Sequence, residues 1–328
     1  MDELDVKILQ ALISESSASP SSAEVRLSLR AIAARIRADD MTVNYRYKRL
    51  QKSGALSDWH LILNSSFFSR SVLDVVVDVQ PESEKADMIR KLKLVDSVIM
   101  ILNFFGRALR ILSIYSSNES RSRSVELISR ITNAERITQS RMPLPSSRTK
   151  LLTETDVKII EALSKDARKS SALVAKELGL STRTVRNRTD RLRQDNTIFT
   201  FPSLKIYGIA GLIPVYLSYT YCNRTKSFVD RAMLTHFESS YLWGVFYDPD
   251  HGSIMLNAPT MGDVQRILEW AKSQPGIASA RIDIPTEQFS NPEKFTELLQ
   301  LGNEGAALQK NARQGYGKDE RGPSIETT

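Results

Sequence analysis

Apolar residues recur at helical spacing over Asp156–Leu163, where Val157, Ile160 and Leu163 share one face and Thr153 stands ahead as a cap. A short helix follows over Ser171–Leu178, with Val174 and Leu178 inward and Gly179 placed to end it in the left-handed region. Ser181 caps a third helix running to about Gln194, whose inner face is Val185, Thr189 and Leu192. Gly179-Leu180-Ser181 between the last two is the tight turn of a helix-turn-helix. The same pattern occurs earlier in the chain: Ala31, Ile32 and Ile36, then Asp39 or Asp40 as cap, then Val43, Tyr47 and Leu50 inward. Gly54 and Asn196, both tolerant of positive φ, sit just past the two third helices, and Leu56–Leu63 and Ile198–Leu204 follow as short wing-like strands.

Beyond each wing the period alternates between two and 3.6. The first stretch reads as strand Val72–Val79, helix Glu82–Leu92, strands Val98–Phe105 and Leu109–Tyr115 turning at Gly106, helix Glu119–Ile131 and strand Glu135–Met142. The second reads as strand Ile213–Tyr221, helix Lys226–Phe237, strands Tyr241–Tyr247 and Ser253–Asn257 joined by Asp248–Gly252, helix Gly262–Ser273 and strand Ala278–Ile284. Both are βαββαβ. The fold class is therefore α+β, two winged helix-turn-helix domains alternating with two ferredoxin-like sheet domains.

The repetition extends to residue identity. Asp5-Val6-Lys7-Ile8-Leu9-Gln10-Ala11-Leu12 returns as Asp156-Val157-Lys158-Ile159-Ile160-Glu161-Ala162-Leu163, and Thr42–Leu50 returns as Thr184–Leu192. The shift is 151 residues at the first match and 142 at the second, so the earlier copy holds nine extra residues, visible as the Ser-rich stretch Ile13–Leu27. An internal duplication is expected. Its boundaries are a first winged helix-turn-helix over 1–64, a first sheet domain over 65–143, a linker at 144–150, a second winged helix-turn-helix over 151–205, a second sheet domain over 206–289, and a short helix with a disordered tail over 290–328.

Charge then changes the picture. The net charge is +7 over 328 residues, which favours a polyanionic partner. It is concentrated where the third helices lie. Lys165 to Arg193 holds nine Lys/Arg against three acids, and Arg26 to Lys52 eight against two. On the later third helix Thr182, Arg183, Arg186, Asn187, Asp190 and Arg193 are spaced three and four apart on the outer face. Such a helix fits the major groove, where Arg pairs with guanine and Asn with adenine. The earlier helix presents Met41, Asn44, Tyr45, Lys48 and Lys52, a different reading surface, so the two copies should prefer different half-sites. Expected base readers are Thr182, Arg183, Arg186, Asn187 and Asp190, with Asn44, Tyr45 and Lys48. Expected phosphate contacts are Ser181, Thr184, Arg188, Arg191, Lys169, Lys176, Arg46, Arg49 and Thr42. Arg46, Arg49, Arg188 and Arg191 could instead brace each helix against its own domain. A lone basic helix is more often a solvated face, but here cap, inward apolar triplet, outward Arg/Asn face and repetition coincide.

Other chemistry is sparse. One cysteine, Cys222, excludes a disulfide framework, and His60, His236 and His251 are too scattered for a zinc cluster. No metal and no cofactor are expected. His251 reads as a loop residue, Cys222 as inert, and Trp243, Phe246 and Tyr247 as core and sheet surface. No phosphate loop, carboxylate pair or triad is evident. Asp2, Glu3 and Asp5 occupy the place of a basic leader segment, and Ile206–Tyr221 is too short and broken to span a bilayer. A reducing, cytoplasmic setting is expected.

Thr155 through Leu163, Val174 through Ser181 and Val185 through Leu192 resemble the winged helix-turn-helix of the Lrp/AsnC family of archaeal and bacterial transcription regulators. The βαββαβ units are similar to that family's effector-binding and oligomerising domain. The resemblance implies a sequence-specific DNA-binding regulator whose partners are duplex DNA, a paired arrangement of its own sheet domains, a second chain, and a small-molecule effector of unidentified chemistry. Two departures stand out. Gly106-Arg107-Ala108-Leu109 lacks the Asp of the family's Gly-x-x-Asp turn, and Arg37-Ala38-Asp39 stands where the family favours Gly-Leu-Ser. A rival reading shares the fold: siroheme decarboxylases resemble the same family, including fused two-copy forms. Their His-Arg-x-Gly-Tyr-like stretch has no counterpart in Asn64–Ser71 or Leu204–Leu212, where Arg70 is the one His or Arg. The expectation is that the chain is not an enzyme. A ligand-sensing or oligomerisation module with vestigial DNA contacts is a third reading.

Overall fold

The computed structural model describes residues 2–15, 28–148, 151–205, 207, 212–222, 226–246, 251–291 and 294. The first helical unit comprises α1 (Glu3–Glu15), α2 (Leu29–Ile36), α3 (Asp40–Lys52) and strand β1 (Leu56–Leu63). A 3-10 turn over Ser65–Phe68 leads into β2 (Ser71–Asp78), α4 (Lys85–Lys93), β3 (Val98–Phe104), β4 (Ala108–Tyr115), α5 (Asn118–Thr132) and β5 (Arg136–Arg141). The order then recurs as α6 (Glu154–Ser164), α7 (Ser171–Leu178), α8 (Thr182–Gln194) and β6 (Ile198–Leu204). It continues with β7 (Ile213–Tyr221), α9 (Lys226–His236), β8 (Tyr241–Phe246), β9 (His251–Ala258), α10 (Met261–Ser273) and β10 (Ile277–Asp283), and a further strand, β11, spans Pro285–Ser290. This is the expected α+β arrangement of two winged helix-turn-helix and two ferredoxin-like units. Of the Ser-rich stretch Ile13–Leu27, residues 13–15 end α1, while 16–27, the turn residues 247–250 and the expected tail lie outside the described residues.

Local chemistry explains the turns. Ser28, Asp39, Thr153, Ser170 and Ser181 each accept a hydrogen bond from a backbone N–H in the first turn of the helix they precede. Gly179 ends α7 at φ 65, and Arg37 takes the same left-handed position after α2 at φ 55. The first helix-turn-helix therefore keeps its turn although it lacks the glycine, at the strain cost of a non-glycine residue there. Gly54 and Asn196 both adopt positive φ after the third helices.

The wings do more than flank their own heads. β1 and β6 pair antiparallel with each other, from Leu63 opposite Ile198 to Leu56 opposite Leu204. Leu61 and Leu63 of the first wing are buried in the core of the second head, with Ile159, Ile160, Leu163, Val174, Val185 and Leu192. In return Phe201 and Leu204 pack against the first head's core around Ile8, Leu9, Leu12, Ile32, Val43 and Leu50. Each head is completed by a strand from the other.

The sheets run β11-β3-β4-β2-β5 and β10-β7-β9-β8. Without β11, the strand order of the first matches that of the second, element for element. Helices cover one face of each, over Leu73, Val75 and Val77 in the first and Val215, Leu217 and Tyr219 in the second. The uncovered faces oppose each other. Arg110 on β4 donates from Nε to both Asp74 carboxylate oxygens at 2.9 and 3.0 Å, and from Nη1 to Ser253 Oγ on β9 at 3.0 Å. Arg281 on β10 donates from Nη2 to Asp78 Oδ1 at 3.1 Å while its Nε lies 2.8 Å from Asp283. The rings of Phe104 and Tyr216 meet edge to face at 5.5 Å.

Two elements differ from the sequence reading. β11, a polar strand, was not expected. It crosses from the second unit to pair with β3 of the first, Phe289 opposite Ile101, so its partner is nonlocal and its own alternation is weak. His251, read as a loop residue, instead opens β9 opposite Thr220. Its neighbour Gly252 must lack a side chain, because a Cβ there would come within 2.4 Å of the Tyr219 ring.

Candidate nucleic-acid interface

The third helices are held by a device that the basic count conceals. In the second head Asp156 is fully buried at the start of α6 and forms a capping box with Thr153. Its carboxylate receives Arg188 Nη1 at 3.0 Å on Oδ1 and Arg191 Nη2 at 2.8 Å on Oδ2, and Arg188 Nη1 also donates to Thr153 Oγ1 at 2.8 Å. Burial alone would push the Asp156 carboxyl up, but the Thr153 and Arg188 hydrogen bonds and the Arg191 charge together hold it below the usual range. The first head repeats the device. Asp5, also fully buried, pairs with Arg46 and Arg49, and Arg46 reaches Asp2 as well. The Asp2 carboxyl is lowered by its hydrogen bond from Arg46.

Four expected phosphate contacts, Arg46, Arg49, Arg188 and Arg191, are thus engaged in bracing the third helix against the first helix of each head. Lys169 is likewise paired, with Glu177. Ser181 and Thr184 share the helix cap, their hydroxyl oxygens 2.8 Å apart, and Thr42 is held by Asp39, its N–H donating to Oδ1 at 2.9 Å. Lys176 is exposed on α7.

The expected base readers stand differently. Thr182, Arg183, Arg186 and Asn187 are exposed on one face of α8, and Asp190 is half-buried beside them. Neither Arg183 nor Arg186 has an ion pair among the described residues. Asn44, Tyr45 and Lys48 are exposed on α3. The inner residues Val185, Thr189 and Leu192, and Val43 and Leu50, are buried as expected, with Tyr47 half-buried. Each head therefore divides its third helix into a fixed basic edge that holds the helix and an open edge that is unspent.

Sequence reasoning missed the two aspartates. Their signal was present: Asp5 and Asp156 each open the repeated octapeptide, and Arg46/Arg49 match Arg188/Arg191 at one common shift.

Among the described residues no group of three or more His, Cys, Asp and Glu could hold a metal ion, and no helix is long and apolar enough to cross a membrane. Cys222 is half-buried. Trp243 is half-buried against the first head's core, while the side chain of Phe246 and all of Tyr247 lie outside the described residues.

Comparison with known proteins falls on the same segment. The AsnC-type helix-turn-helix domain matches residues 152–193, which span α6, α7 and nearly all of α8. No curated protein sequence matches the chain. Among solved structures, the siroheme decarboxylase NirDL, in complex with an iron-uroporphyrin III analogue, is similar over 92% of this chain and 99% of that one, with 11% identity and a TM-score of 0.54. AsnC of E. coli matches 41% of this chain and 91% of its own, with 20% identity and a TM-score of 0.30. A transcriptional regulator of Neisseria meningitidis in complex with L-Met matches 47% and 96%, with 16% identity and a TM-score of 0.30. The likeness to the decarboxylase is one of fold, and it corrects the expectation that the chain is not an enzyme. An architecture shared along nine tenths of the chain with an enzyme overturns that exclusion, which had rested on a missing motif and on the absence of a recognisable catalytic constellation in the sequence.

Proposed function

We propose that the protein is a sequence-specific DNA-binding transcription regulator of Lrp/AsnC type. It would be built as two fused units, one over 1–143 and one over 151–289, whose heads enter successive major grooves. The observation that carries this reading is the open edge of α8. Arg183, Arg186 and Asn187 are exposed, and neither arginine has an ion pair among the described residues, while their neighbours Arg188 and Arg191 fix the helix. A solvated face needs no such bracing, whereas groove insertion needs a helix that does not tilt. The AsnC-type match over the same residues supports it. A pairing of the two sheet domains within the chain, a second chain and an unidentified small-molecule effector complete the partners of this reading. The test is binding of the intact chain to labelled duplex DNA beside the double variant Arg183→Ala/Arg186→Ala. The variant should lose sequence preference at two base pairs and at least tenfold in affinity, since each good bidentate contact is worth about 1–3 kcal/mol. Equal affinity of the two proteins would remove the reading.

The fold likeness to the siroheme decarboxylase favours a second reading, binding and decarboxylation of a tetrapyrrole. Titration of the chain with iron-uroporphyrin, followed by its visible absorption band, tests it. A saturable band shift at one equivalent supports it, and an unchanged spectrum speaks against it.

A further inference from the structure

The open edges of α3 and α8 differ position by position. At the common shift of 142 residues, Met41 stands where α8 has Arg183, Asn44 where it has Arg186, Tyr45 where it has Asn187, and Lys48 where it has Asp190. Met41 is 81% exposed and Tyr45 67%, one helical turn apart on the same face. Two large apolar side chains held in water at the centre of a would-be reading face call for an apolar counterpart. Several of the charges around them are already engaged. Asp39 is engaged as the helix cap, Asp40 lies 3.9 Å from Arg30, and Arg46 and Arg49 are held by Asp2 and Asp5. What α3 can offer a partner is Met41, Asn44 and Tyr45, flanked by Lys48 and Lys52.

In the major groove the apolar feature is the thymine methyl group, and the partner of an Asn amide is the adenine N6/N7 edge. We propose that α3 reads an A·T half-site, with Met41 and Tyr45 packed on thymine methyls and Asn44 paired with adenine, while α8 reads a guanine-containing half-site. This rests on the DNA-binding reading above. Its consequence is an operator with a direction. A symmetric dimer reads a palindrome because its two heads are identical. Here the heads are locked together by β1 and β6 yet carry different faces, so the chain has one orientation on its site.

The experiment is selection of binding sites from random duplex DNA by the intact chain, followed by replacement of thymidine with deoxyuridine in each selected half. The expected motif is non-palindromic. Deoxyuridine in the A·T half should weaken binding about fourfold per methyl removed, the value of burying one such group. Met41→Ala and Tyr45→Ala should abolish that sensitivity. The triple exchange Met41→Arg, Asn44→Arg and Tyr45→Asn, all at exposed positions, should drive the motif toward two-fold symmetry. A palindromic motif from the native chain, or indifference to deoxyuridine with binding otherwise intact, would overturn this proposal alone. Failure to select any site would overturn it together with the DNA-binding reading.

Discussion

At the scale of single residues, the molecule separates arginines that hold structure from arginines that face outward. Arg188 and Arg191 end on the buried Asp156, whereas Arg183 and Arg186 end in solvent. Arg186→Ala should therefore cost binding about 1–3 kcal/mol and relax preference at one base pair, leaving the unfolding midpoint unchanged. A uniform loss over all DNA sequences would instead make Arg186 a phosphate contact. Asp156→Ala should do the opposite. It removes a capping box and leaves two guanidinium groups without their acceptor, and should destabilise the second head by about 2 kcal/mol, read as a lowered urea midpoint. The same pair has a pH signature. Because the folded-state pKa of Asp156 is depressed, its contribution is present above the unfolded value near 3.8 and is lost as pH falls through the lower folded value. Acid unfolding of the native chain should thus show a step below about pH 3.8 that is absent from Asp156→Ala.

At the scale of elements, the exchange of wing strands makes the two heads one object. Leu61 belongs to the first copy by sequence, yet it is buried in the core of the second head. Leu61→Ala should cost about 2–5 kcal/mol and speed hydrogen exchange in α6–α8 rather than in α1–α3. Exchange confined to α1–α3 would contradict the swap. The helices, their caps and most strand boundaries were legible in the sequence because they rest on local rules: Thr153 and Ser181 before apolar runs, Gly179 and Asn196 after them, and a β-branched apolar run in Val72–Val79. What was not legible depends on partners far away in the chain. β1 and β6 were recognised as strands, but nothing local says that they pair with each other. β11 hides because its polar residues gain order only against β3. The candidate site was half legible for a similar reason. The spacing of Arg183, Arg186 and Asn187 marks an outer face, but only packing tells which arginines on the same helix end on a buried carboxylate.

At the scale of the whole molecule, the faces of the two sheets enclose polar chemistry that an apolar interface would not need. Burial would push the Arg110 guanidinium toward neutrality, and Asp74 overrules it, keeping it charged. Asp283 is raised by burial despite the nearby charge of Arg281. Such a buried pair is costly to break and inexpensive to replace. Arg110→Ala should destabilise the chain by about 3–5 kcal/mol, whereas replacing Arg110 and Asp74 together with apolar residues of similar volume should be near neutral. Unfolding of the two variants side by side distinguishes this from simple loss of volume, which would make the double replacement worse than the single. The sheets join the two halves and β1 pairs with β6 between the heads, so under the proposed function α3 and α8 would meet DNA together. The most direct test is the affinity of the intact chain for random and genomic duplex DNA across a salt series. The account predicts selected sites with two unlike halves at one fixed spacing and a steep fall of log K with log salt, about 0.9 per phosphate contacted. Absence of binding at low salt, or binding without any selected sequence, would contradict it.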